Sequence, residues 1–208
     1  MITVFGASGR IGGLLVRQAL DSGHEVRAVV RGTLTEAARP GLTVIRANVL
    51  DPTEITEAVT GADAVFSTLG PPNTRPTTIL TDGLRSITTA MTKAGTTRLL
   101  AVSADGAYPN PTDGPVLRAV GRPLLQRVLR HTFADVRTME DLIRTTPLDW
   151  TILRAPRLTD TPSQGAYRTS TGTPLPRARK IPRTDVAACL LALAPDPSSH
   201  RTTITVAT

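Results

Sequence analysis

Cysteine is almost missing from this chain. Cys189 stands alone among 208 residues, which excludes an intrachain disulfide framework. A lone thiol suits a reducing compartment, so a cytoplasmic protein is expected. Its setting, the apolar run AACLLALA, points to packing rather than to nucleophilic chemistry. Aromatic residues make up only 3%, which leaves little on which to stack single-stranded bases. Lysine is confined to Lys93 and Lys180, so the net charge of +7 is carried by arginine. Those arginines are scattered, apart from Arg177, Arg179 and Arg183 around Lys180. A solvated basic surface is therefore expected, with no nucleic-acid partner. No apolar run approaches the ~20 residues that span a bilayer. The start of the chain reads as strand rather than as a basic, then apolar leader, so neither a signal peptide nor a membrane partner is expected. His24, His131 and His200 lie far from each other and from Cys189, without metal-ligand spacing, so no metal site is expected.

What is present is concentrated at the beginning, in MITVFGASGRIGGLLVRQALDSG. Ile2 to Phe5 is a short β-branched apolar run, the signature of a buried strand. Gly6, Gly9 and Gly12 follow at GxxGxxG spacing, and an amphipathic helix is predicted from about Arg10 to Ser22. Gly6 permits the tight turn, Gly9 lets backbone approach a pyrophosphate, and Gly12 lets the helix pack close on the strand. The unpaired N–H groups and dipole of the helix end favour a phosphate there.

Strand and helix patterns then alternate. Strands are predicted at Glu25–Val30, Leu42–Ala47, Ala64–Leu69, Arg98–Ser103, Asp149–Leu153 and Thr202–Val206, with a short one around Ala166–Thr169. Helices are predicted over about Thr53–Thr60, Pro76–Ala94, Val116–Arg130 and Ala134–Arg144, and from Ile181 to Ala194. This is an α/β protein: one domain over residues 1–208, built as a single doubly wound parallel sheet with helices on both faces. Its expected strand order is 3-2-1-4-5-6. Three stretches rich in Gly, Pro, Thr and Asp, at about 70–77, 104–115 and 159–180, read as loops that would form the substrate pocket.

The end of the second strand bears on cofactor choice. An acidic residue there would bind the ribose hydroxyls of NAD. This chain has Arg31, which suits the 2′-phosphate of NADP and offers no acceptor to an unphosphorylated ribose. NADP(H) is the expected cofactor.

The ordered set GASGRIGG, AVVRG, ANVLDP, DAVFSTLG, LLAVSADGAY, LDWTILRAPRLTD, QGAY and IPRTDVAACLL resembles the atypical short-chain dehydrogenase/reductases. It resembles most their NAD(P)H-binding, biliverdin reductase B (flavin reductase)-like branch, related to NmrA-like proteins. The resemblance covers nearly the whole chain and implies a Rossmann fold. It further implies that Gly6, Ser8, Gly9, Arg10 and Ile11 hold the pyrophosphate and that Arg31 meets the adenosine phosphate. Asn48 and Val49 would border the adenine, although relatives commonly have aspartate where Asn48 stands. Leu69 and Gly70 would flank the nicotinamide ribose, and Ser103, Pro156, Arg157 and Leu158 would lie near the nicotinamide.

One expected group is missing. The wider superfamily uses a Tyr-x-x-x-Lys pair, whose lysine makes the tyrosine a better proton donor. Four residues beyond Tyr108 and Tyr167 stand Thr112 and Thr171. Ser103, Arg157 and Tyr108 are then the catalytic candidates. Ser103 would orient a carbonyl or the nicotinamide amide, or be satisfied by nearby backbone. Arg157 would hold an anionic or enolate-like substrate, or lie in solvent. Tyr108 would touch a ligand or anchor its loop. Arg137 and Glu140, three apart on a helix, read as a surface pair, and His131 as a cation at a helix C-terminus.

The expectation is an oxidoreductase: an NADPH-dependent reductase passing a hydride to a conjugated or carbonyl acceptor, flavin-, quinone- or biosynthetic-intermediate-like. Two alternatives stand beside it. One is an NADP-binding regulator of NmrA-like kind. The other is a dehydratase, epimerase or cyclase on the same fold.

Overall fold

The computed structural model describes residues 1–34, 38–71, 73, 75–163 and 165–208. Pro72 and Thr74 of the first expected loop, and Gln164 of the third, lie outside the described residues. Strands β1 (Ile2–Phe5), β2 (Val26–Val30), β3 (Leu42–Arg46), β4 (Ala64–Ser67), β5 (Arg98–Ala104) and β6 (Asp149–Ala155) carry the alternation. With β10 (Thr202–Ala207) they run parallel, and β8 (Arg168–Thr171) adds an antiparallel edge. The order is β3-β2-β1-β4-β5-β6-β10-β8, so the expected doubly wound sheet is formed and extended by two strands. β7 (Arg157–Thr159) and β9 (Lys180–Pro182) pair separately as a short parallel ribbon.

Two helical layers cover the sheet. α1 (Arg10–Asp21) and α6 (Arg183–Leu193) bury Leu15, Val16 and Leu190 against Val4, Phe66 and Leu100. On the other face, α2 (Pro52–Val59), α3 (Ile79–Ala94) and α5 (Arg130–Thr145) bury Ile55, Leu84 and Met139 against Phe5, Val65 and Leu99. Each large apolar side chain so buried contributes about 1.5–3 kcal/mol. Neighbours on one strand face opposite cores, as Val4 and Phe5 do, because side chains alternate across a pleated sheet.

Several ends are fixed by polar groups from other elements. The start of α3 has no side-chain cap of its own. Buried Asp135 of α5 serves instead, accepting from the backbone N–H of Leu80 and of Thr81, 3.0 Å each, and from the Thr81 hydroxyl at 2.6 Å. At the opposite edge of the sheet, Arg98 donates to the carbonyls of Asp149, Leu193 and Ala194 and to the hydroxyls of Thr151 and Ser199. Burial lowers its pKa to about 10, yet those acceptors keep the cation in place.

Three expectations change. The last helix starts at Arg183, because Lys180–Pro182 is extended and paired with β7. The predicted helix over 116–130 is a wide turn at Leu117–Gly121 followed by α4 (Arg122–Val128), and α5 already begins at Arg130. His131 thus stands in the first turn of α5, where the helix dipole disfavours a cation. No described helix is long and apolar enough to cross a membrane.

Candidate dinucleotide crevice and the cluster beside it

The crevice opens where the chain leaves β1. Gly6 has φ +76°, a conformation that favours glycine, and carries the backbone round to the N-terminus of α1. A Cβ on Gly12 would stand 2.2 Å from the Gly6 carbonyl oxygen and 2.6 Å from Thr68 Oγ1. Helix, turn and β4 are therefore in direct contact there. Gly9 caps α1 without a side-chain bond, and the first turn holds no acidic residue. The first N–H groups of a helix have no intrahelical acceptor, so those of Arg10, Ile11 and Gly12 face outward as donors. This cradle fits a pyrophosphate.

Around it, Ser8 and Arg10 are exposed and Ile11 is buried. Arg10 and Arg183 both pair with Asp160, which ties the loop after β7 beside the glycine turn. Arg31 is exposed at the end of β2. Asn48 is exposed, its N–H donating to Glu54 at 2.7 Å, whereas Val49 is buried in the core. Leu69 is half-buried and Gly70 exposed at the end of β4, and Pro156 and Leu158 are half-buried just beyond β6.

Two of the three catalytic candidates meet in one cluster and the third stands apart. Ser103 is buried, and its hydroxyl donates to Glu140 Oε1 at 2.5 Å. Arg154, its neighbour on β6, donates to the same carboxylate through Nε at 3.0 Å and Nη2 at 2.6 Å. Arg144 adds a contact at 2.6 Å. Tyr108 lies under Arg154, with the guanidinium 3.5 Å from its ring centre. Burial, and then the charge of Glu140, push the Tyr108 phenol up to about 12, the reverse of what a proton donor needs. Arg157 is exposed on the β7–β9 ribbon, away from this cluster.

Glu140 is the residue that sequence reasoning missed. It is wholly buried rather than part of a surface pair, while Arg137 donates to the Ala107 carbonyl at 2.9 Å. Burial opposes its ionisation, but hydrogen bonds from Arg154 and Ser103 outweigh this and hold its pKa below the ordinary value. Nothing local in the sequence signalled it, since Ser103 and Arg154 become neighbours only through the register of β5 and β6. Cys189 is buried, and burial pushes its thiol up to about 12, as its apolar setting suggested.

An open, mostly parallel sheet with helices on both faces, and a glycine cradle at the head of its first helix, defines a Rossmann-type dinucleotide-binding protein. The chain belongs to the NAD(P)H-binding family, whose model matches residues 6–197. It is 32% identical over 128 residues to cinnamoyl-CoA reductase 1 of Petunia hybrida, covering 55% of this chain and 38% of that protein. The chain thus spans little more than a third of that relative's length. Among solved structures it is similar to a short-chain dehydrogenase/reductase from Veillonella parvula in complex with NADP. That match has a TM-score of 0.82 at 22% identity, over 100% of this chain and 94% of that one. An oxidoreductase from Lactococcus lactis matches with a TM-score of 0.78 at 19% identity, over 100% and 90%.

Proposed function

We propose that the protein is a cytoplasmic NADPH-dependent reductase that passes a hydride to a conjugated or carbonyl small-molecule acceptor. The observation that carries this reading is the Gly6–Gly12 cradle with Arg31 at the end of the adjoining strand. In this reading Gly6, Ser8, Gly9, Arg10 and Ile11 hold the pyrophosphate, and Arg31 holds the 2′-phosphate. Asn48 and Val49 border the adenine, and Leu69 and Gly70 the nicotinamide ribose. Ser103, Pro156 and Leu158 form the wall beside the nicotinamide, with Arg157 at the pocket's rim. Bound NADPH supplies the hydride. Because the Tyr108 phenol is such a weak acid, the proton comes from water or from the acceptor itself. The reductase names of the plant relatives support the same class of chemistry.

The test is NADPH and NADH titration, followed by cofactor oxidation with flavin and quinone acceptors. Saturable NADPH binding with acceptor-dependent oxidation supports the reading; no dinucleotide binding sinks it. Arg31→Ala should weaken NADPH by about tenfold or more, since a hydrogen bond to a charged group contributes about 1.5–3 kcal/mol. Its NADH affinity should be unchanged; equal losses for both would remove Arg31 from the phosphate. A second reading, an NADP-binding regulator without turnover, is favoured by Ser103 and Tyr108, which are both engaged with the Glu140 cluster. It predicts tight NADPH binding with no oxidation by any acceptor.

A further inference from the structure

A second concavity lies on the α5 face of the sheet, beyond the helix, where β6 and β10 are left uncovered. It is a groove of about 450 Å³, within the usual range for small-molecule sites. No residue of the glycine cradle lines it, nor does Arg31. Its floor is written into β10. A parallel strand buried on both faces is normally a continuous apolar run, but β10 reads TTITVA. Ile204 and Val206 enter the core beneath α1 and α6. Thr203 and Thr205, in register with Ile152 and Arg154, turn hydroxyls to the opposite side.

The walls are cationic and under-satisfied. Trp150 is 7% exposed and lines the groove, and its indole N–H has no hydrogen-bond partner among the described residues. At the upper end the buried Tyr108 hydroxyl lies against Glu140 and belongs to that cluster. Buried donors are normally paired, so the Trp150 N–H calls for an explanation. Arg144 and Arg154 share the single buried carboxylate of Glu140; Asp141, which also pairs with Arg144, is 78% exposed and screened by water. Asp105, on the rim, shares Arg122 with Asp113. At the lower end stands Arg201, which has no carboxylate partner among the described residues. Its two contacts, to the carbonyls of Thr146 and Leu148, are 3.5 Å long. Arg201 also has φ +51°, an uncommon conformation for a side chain of its kind.

We infer that this groove is a binding site, separate from the dinucleotide crevice, for a small carboxylic acid with a flat apolar body. The carboxylate meets the Arg201 guanidinium and the Trp150 N–H, and the body lies along the Thr203–Thr205 floor towards the Tyr108 ring. Arg201, the groove arginine without a carboxylate partner among the described residues, presents a single free charge and so favours a monoanion over phosphate. The inference holds whether or not the protein reduces anything.

Trp150 is the only tryptophan in the chain, so its fluorescence reports this groove directly. The full-length protein is titrated with benzoate and, separately, with inorganic phosphate. Asparagine tolerates a left-handed backbone, so Arg201→Asn removes the cation while keeping the turn. Thr205→Val removes a floor hydroxyl at nearly constant volume. A saturable response to benzoate is expected, weakened about tenfold or more in Arg201→Asn and detectably in Thr205→Val. Melting temperature and NADPH affinity should be unchanged in both. No saturable response in the parent protein, an equal response in Arg201→Asn, or phosphate binding as tightly as benzoate would each overturn the assignment. A competitive loss of NADPH on adding benzoate would overturn the separateness of the site.

Discussion

Gly12→Ala should weaken dinucleotide binding severely and destabilise the fold at the same time. The added methyl would stand 2.2 Å from one backbone oxygen and 2.6 Å from the Thr68 hydroxyl. Neither can swing away cheaply. The carbonyl belongs to Gly6, whose own Cβ position is 2.9 Å from the Thr68 backbone, and Thr68 Oγ1 is held by the Phe5 carbonyl at 2.8 Å. The helix must therefore back away from the turn. Overpacking of this kind costs about 1–3 kcal/mol, and each kcal/mol lowers Tm by roughly 2–4 °C in a chain of this size. Moving α1 also misaims the N–H groups at its head. A shift near 1 Å brings losses of about 100-fold where geometry is demanding, so NADPH affinity should fall by about that much. The control is one residue along. At Gly13 an added Cβ would lie 3.5 Å from the Ala7 carbonyl oxygen, an ordinary contact. Gly13→Ala should keep binding and gain up to about 1 kcal/mol of helix propensity. NADPH fluorescence titration and thermal melts decide both; a Gly12→Ala protein that binds and melts like the parent would refute the packing argument.

The contrast between Gly12 and Glu140 shows what a sequence discloses. Gly12 was legible because local chain geometry, a strand followed by a tight turn and a helix, already demands small residues at set spacing. The parallel strands were legible for a similar reason: each is a short β-branched run between breakers, and alternation with helices leaves few topologies. Glu140 was not legible. On a helix its spacing to Arg137 is that of an exposed pair, and nothing local says that this face turns towards Ser103 and Arg154. Those partners sit 37 and 14 residues away and meet it only because β5 and β6 run side by side. The β7–β9 ribbon escaped notice because its strands are three residues long and embedded in loop-like composition. Arg201 is a further case, since a left-handed backbone at a non-glycine residue leaves no compositional trace.

Glu140→Gln should be the most destabilising of the conservative changes in the cluster. Shape is nearly kept, but three donors converge on the carboxylate, from Ser103, Arg144 and Arg154. The glutamine amide can accept through one oxygen only, and its NH₂ would point at guanidinium N–H groups. Removing one partner of a buried ion pair costs about 3–5 kcal/mol, because the remaining charge is left uncompensated. The pH dependence follows from the direction of the Glu140 shift. Its pKa in the folded protein is held below the ordinary value of 4.5, so the folded state releases the proton more readily than the unfolded chain. Its contribution is thus complete above pH 4.5 and is lost as the pH falls through the lower, folded-state value. Urea denaturation of parent and variant should show a gap that is widest near neutrality and narrows under acid. Tyr108 provides a second readout, because part of its rise to about 12 comes from the Glu140 charge. Alkaline titration of the phenolate absorbance should therefore find one tyrosine ionising at lower pH in Glu140→Gln. A variant as stable as the parent at neutral pH, with an unchanged tyrosine titration, would mean that the carboxylate does not organise this cluster.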